Sequence, residues 1–161
     1  VCTLSADGTP TTLAGSAEHG FVDGRAEAAR FSNPAGIAEG PDGRLYVADI
    51  KNHSIRRIDR QGNVTTVAGG GPAAAGHIDG ELAVARFNRP NRVAVASDGT
   101  IYVGECDDCG GGGAIRQIHG GGVTTVCWPH LGLSRVVCEC LWESARRCAG
   151  LRDSRVVLAA A

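Results

Sequence analysis

Four side chains in the second half of the chain have the types and spacing of a metal site. Cys106-x2-Cys109 is followed after 17 residues by Cys127-x2-His130, three thiols and one imidazole, the donor set of a closed tetrahedral zinc site. A local Cys106–Cys109 disulfide or four unpaired thiols would satisfy the same spacing without a metal, and no other part of the chain repeats the pattern. Catalytic chemistry needs one asymmetric constellation, and the sequence offers none. It has no Gly-x-Ser-x-Gly elbow, no phosphate-binding glycine loop and no His-Glu-x-x-His pair, so no catalytic residue is assigned. Gly110–Gly113 follows the two cysteines with no lysine or helix start after it, and reads as a turn. Asp23 and Asp42 recur as Asp79 and Asp98, and Asp49 closes a strand that Glu105 closes in the next unit. Recurrence suits structure, with aspartate before glycine closing a turn and aspartate at a strand end tying down the next hairpin.

The elements that must position these groups are visible because the chain repeats itself. Thr11-Thr12-Leu13-Ala14-Gly15 returns as Thr65-Thr66-Val67-Ala68-Gly69 and again as Thr124-Thr125-Val126. Between these anchors, Asp23-Gly24 recurs as Asp79-Gly80, Ala29-Arg30-Phe31 as Ala85-Arg86-Phe87, Pro34 as Pro90 and Leu45-Tyr46-Val47 as Ile101-Tyr102-Val103, all at an offset of 56. The drift in spacing arises in turns, where a strand-based repeat tolerates it.

Each unit reads as four short strands: 35–40, 44–49, 54–59 and 64–68 in one, and 91–96, 100–105, 114–118 and 123–127 in the next. Asp42-Gly43 and Asp98-Gly99 supply tight-turn chemistry between the first two strands of each. Leu45-Tyr46-Val47-Ala48 is apolar on both faces, which fits a sheet covered on both sides. Radially stacked four-stranded antiparallel sheets achieve that, so the expected fold class is all-β, a partial β-propeller. The half blade 1–15, the full blades 33–69 and 89–127, and a divergent tail 128–161 are the expected divisions.

Asn33 to Ile37, Asp42 to Asp49 and Asn52 to Arg56, with the preceding Thr-Thr-Leu-Ala-Gly and Ala-Arg-Phe pieces, resemble the NHL repeat. The resemblance covers residues 1–127, because Val1–Leu4 and Thr11-Thr12 align with Ile55–Ile58 and Thr65-Thr66 at an offset of 54. Proteins similar to this one close a ring of about six blades, which implies that the chain, opening at Val1 halfway through a blade, is a piece of a larger protein. The second full unit departs from the pattern: Glu105-Cys106-Asp107-Asp108-Cys109 and four glycines stand where Asp49 to His53 stood. The resemblance implies a non-catalytic scaffold that binds protein or ligand. The alternative it implies is a fragment of a propeller enzyme, a metal-dependent lyase or hydrolase whose channel would need the missing blades.

Beyond Cys127 the repeat stops. Leu133, Val137, Cys140, Leu141 and Cys148 fall near helical spacing after Ser134, a candidate cap, so 134–149 has the pattern of a short amphipathic helix. That tail reads equally as a cap on the last blade, a piece of a neighbouring domain, or residues foreign to a folded protein. No stretch reaches the roughly 20 apolar residues of a membrane span. Charge argues against nucleic acid: residues 1–127 carry a net −3 and the tail +2, within 16 Lys+Arg and 17 Asp+Glu overall. Arg44, Arg56, Arg57 and Arg60 cluster on the first full blade and are expected to be solvated or paired with Asp42 and Asp59. The expected partner is a protein, or a further copy of the chain joined through open blade faces. Zinc is the one cofactor the residues suggest.

Overall fold

The structure, a computed structural model, describes residues 1–5, 7–105, 113–127 and the backbone of 156–157. Strands account for its regular structure, apart from two single 3-10 turns at Ala26–Ala28 and Ile50–Asn52. The first full blade is built from β4 (Pro34–Glu39), β5 (Leu45–Asp49), β6 (Ser54–Ile58) and β7 (Asn63–Gly69), and the second from β9 (Pro90–Val95), β10 (Ile101–Glu105), β11 (Ile115–His119) and β12 (Gly122–Cys127). Both are antiparallel meanders. A fifth strand of two residues lies along the outer edge of each: β3 (Gly24–Arg25) beside β7 and β8 (Gly80–Glu81) beside β12. These edge strands belong to the loops that precede their blades.

The half blade is β1 (Cys2–Leu4) paired with β2 (Pro10–Thr12), and β13 (Val156–Val157) lies on the other side of β1. Its register, Cys2 opposite Thr12 and Thr3 opposite Thr11, matches Arg56 opposite Thr66 and Arg57 opposite Thr65 in the first blade. The helical spacing over 134–149 lies outside the described residues.

Strand alternation sends the two faces of each blade to different neighbours. In the first blade Ala38, Tyr46, Ala48, Ile55 and Ala68 face the second blade, where Val93, Val95, Ile101, Val103, Ile118 and Val123 join them in one core with Ala85 and Phe87. The opposite face presents Val47, Ile58 and Val64 to Ala14, Ala29, Phe31, Val1 and Leu13 of the half blade and its loop. Thus the apolar run 45–48 is apolar on both sides because both sides are covered. The blades approach closely at their inner strands: a Cβ on Gly36 would sit 2.8 Å from the Cα of Arg92 and 2.8 Å from the carbonyl oxygen of Asn91. Only hydrogen fits there.

Candidate functional site

Each full blade is fastened to the loop before it by one arginine. Arg56 and Arg116 occupy the same place on the third strand of their blades, opposite Thr66 and Thr125, and both are fully buried. A buried guanidinium is tolerable only when its donors are met by acceptors. In the first blade Nη1 of Arg56 donates to Asp49 Oδ2 and to the Arg30 carbonyl, each at 3.0 Å. Nη2 donates to Asp23 Oδ1 at 2.6 Å and to the Val22 carbonyl at 2.9 Å. The guanidinium also lies between the rings of Phe21 and Phe31, 5.0 Å from each centroid. Its Nε alone has no partner.

The second blade repeats the arrangement with exchanged parts. Arg116 Nη2 donates to Asp79 Oδ1 at 2.6 Å and to the Ile78 carbonyl at 2.9 Å, and Nη1 donates to the Arg86 carbonyl at 3.0 Å. Glu105 replaces Asp49 and stands 3.3 Å from Nη1 through Oε2. In the first blade the buried carboxylate also accepts from Asn52 Nδ2 at 2.7 Å and from the Ser32 N–H at 2.7 Å. Glu105 accepts instead from the Asn88 N–H at 2.7 Å, and its Oε2 pairs with His77 Nδ1 at 2.9 Å. His77 takes the sequence position of Phe21, so an aromatic wall in one unit becomes a hydrogen-bonding partner in the next.

The two carboxylates of each network behave oppositely. Burial pushes Asp49 and Glu105 above the ordinary carboxylate range, and the donors around them recover only part of that rise. Partial burial also pushes on Asp23 and Asp79, but the N–H of Thr66 or Thr125 and the arginine outweigh it and hold both carboxyls low. Asp23 Oδ2 accepts the Thr66 N–H at 2.9 Å, and Asp79 Oδ2 accepts that of Thr125 at 2.9 Å. These amides lie on the outer strands beyond the reach of the two-residue edge strands, so the aspartates cap an edge that would otherwise be open.

The remaining assigned residues fall elsewhere. Asp42 Oδ1 accepts the Arg44 N–H at 3.0 Å and Asp98 Oδ1 accepts the Thr100 N–H at 2.9 Å, each closing its own hairpin turn. Arg44 pairs with Asp42 at 2.8 Å, and Asp59 is occupied by Gln61 and Asn63. Arg56 is therefore neither solvated nor paired with Asp42 or Asp59, because the loop before the blade folds over it and supplies Asp23. Of the four zinc candidates, Cys127 is described, buried at the end of β12 as a free thiol. It lies opposite Ile115, which lies opposite Gly104. Cys106, Cys109 and His130 lie outside the described residues. Among the described residues no three His, Cys, Asp or Glu side chains form a metal-holding group, and no helix is long and apolar enough to cross a membrane.

Stacked antiparallel blades, each held by a recurring arginine, define a β-propeller, and here a partial one. The chain matches the NHL repeat family model over residues 31–58. It is 52% identical over 48 residues to Protein SUPPRESSOR OF QUENCHING 1, chloroplastic, of Arabidopsis thaliana. It is 34% identical over 92 residues to NHL repeat-containing protein 2 of Bos taurus. Those matches cover 30% and 55% of the chain but only 4% and 12% of the relatives. A Bacteroides thetaiotaomicron protein of unknown function superposes with a TM-score of 0.65 at 32% identity, over 72% of the chain and 28% of that structure. An auxiliary nutrient binding protein of Bacteroides ovatus superposes at 0.58 with 25% identity, over 77% of the chain and 31% of that structure. The chain thus spans less than a third of each of these proteins.

Proposed function

We propose that the chain serves as a non-catalytic NHL-repeat scaffold whose partner is a protein. One observation carries this reading: in both blades an acid from the preceding loop and an acid closing the second strand are spent on the same buried strut, while the sequence linking the second and third strands, 50–53 against 106–113, differs completely between units. Asp23, Asp49, Asp79 and Glu105 all hold an arginine and backbone amides in place. A rigid frame carrying variable loops is the general design of a binding module. The nutrient-binding names of two structural relatives, at 29% and 25% identity, support a binding role and leave the bound molecule open.

The test sets protein against nucleic acid with the full chain. A partner recovered by cross-linking is expected to bind the purified chain in calorimetry. That binding should be lost when residues 106–113 are replaced by the sequence 50–53, with the far-ultraviolet dichroism unchanged. Micromolar RNA binding at physiological salt, falling steeply with added salt and abolished by Arg44→Ala, Arg57→Ala and Arg60→Ala together, would refute the protein reading. Arg56 is unsuitable for that test because it lies inside the frame.

A further inference from the structure

The chain enters the inner strand of the second blade through Arg89, whose φ of 49° lies in the left-handed region. That backbone is unfavourable for a non-glycine residue, and the following Pro90 pushes its predecessor toward extended geometry. The matching residue before the first blade is Asn33, at φ 57°, a type that accepts the left-handed region more readily. Arg89 therefore needs something to hold it. Its N–H donates to Nδ1 of His53 at 3.1 Å, across 36 residues of sequence. His53 sits on the turn between β5 and β6 of the first blade, itself left-handed at φ 49°, with its own N–H closing the 3-10 turn onto Ile50.

An imidazole nitrogen accepts a hydrogen bond only while it carries no proton. The hydrogen bond therefore fixes His53 as the tautomer protonated at Nε2, and makes one contact between the blades conditional on the ring staying neutral. We propose that His53 is a pH-operated latch between the two blades: the neutral ring clamps the strained turn at Arg89, and the imidazolium, a donor at both nitrogens, releases it.

The charges around the latch point the same way. Burial, and then the like charge of the Arg89 guanidinium, hold His53 below the usual histidine value. On its own turn Asp49 is engaged with Arg56, Asn52 and Ser32, and Lys51 is exposed. From the second blade, Glu105 and His77 are engaged with Asn88 and Arg116. A depressed folded value means that the latch is fully closed above the ordinary histidine value of about 6.5 and opens as the pH falls through the lower one.

Amide hydrogen exchange on the full chain tests this. The Lys51 amide donates to the Ser32 carbonyl, which cannot titrate, and serves as the internal reference. Protection of the Arg89 amide, relative to Lys51 and corrected for intrinsic exchange, is expected to fall roughly tenfold between pH ~7.5 and pH ~5, as for the loss of one hydrogen bond. His53→Gln retains an acceptor that does not titrate, and should remove the pH dependence. The nitrogen shift of His53 Nδ1 in the unaltered chain gives a reading independent of any variant. A proton on Nδ1 at neutral pH, a protection ratio constant with pH, or an unchanged dependence in His53→Gln would each overturn the latch.

Discussion

Arg116→Met takes the cation out of the second blade while keeping a long apolar side chain in its place. The damage is unequal among the partners. Asp79 keeps 47% of its side chain in water, so solvent replaces most of what it loses. The Ile78 and Arg86 carbonyls lose their guanidinium donors, and Glu105, with no side-chain exposure, loses its cation. Removing one member of a buried pair costs about 3–5 kcal/mol, a large share of the roughly 5–15 kcal/mol that holds a domain together.

Glu105 has an escape, which gives the loss a pH signature. Its folded carboxyl already titrates above the reference value of 4.5 because it is buried. The folded state therefore binds the proton more tightly, and stability falls as the pH rises from that value through the raised one. Without Arg116 the folded value rises further, so the deficit of the variant is largest near neutrality and shrinks toward the acid end of that window. Urea unfolding followed by far-ultraviolet dichroism reads both effects. Adding Glu105→Gln, which removes the stranded charge and keeps an acceptor for Asn88, should recover about 1–3 kcal/mol. A loss below about 1 kcal/mol with an unchanged denaturant slope, or no recovery with Glu105→Gln, would refute the idea that the arginine is a strut.

Two other outcomes are expected. Gly36→Ala places a methyl group against the Arg92 and Asn91 backbone and should cost about 1–3 kcal/mol by forcing the blades apart, whereas Gly99→Ala, with nothing within 4 Å of its Cβ, should cost only the left-handed strain of about 1 kcal/mol; equal melting temperatures for the two would contradict the close approach. The Cys106, Cys109, Cys127 and His130 spacing predicts about one zinc per chain, lost in Cys109→Ser, and metal analysis finding none after refolding in excess zinc removes that reading.

The strands are readable because turn residues and apolar anchors recur together, and their ends fall within a residue or two of the expected ranges. The edge strands at Gly24–Arg25 and Gly80–Glu81 are not, since two residues carry no alternation to read. Arg56 was misplaced for a physical reason: a charged residue beside another arginine on an outer strand is ordinarily solvated. The signal was present in the pairing of recurrences. Arg56 recurs as Arg116 just as Asp23 recurs as Asp79, with the four extra residues of the second unit falling before Arg116. His77 gave no such sign, because it stands where the other unit has phenylalanine and becomes a carboxylate partner only in the folded chain.

The struts also move the boundary of what folds as a unit. Asn52 reaches back to the Gly20 carbonyl and Ser54 reaches forward to the Gly71 amide, so the loop from Gly20 and the blade ending at Gly69 are fastened into one piece running from 20 to 71. The next piece starts at Gly76, whose N–H is held by the Phe87 carbonyl. Between them lie Pro72 and Ala73, exposed on a turn closed by Gly71 and Ala74. A chain to be reopened, circularly permuted or recombined with another repeat protein should therefore be cut at 72–75. A cut at Asn88, just before β9, would part the four-stranded blade from the loop that supplies Asp79 and His77.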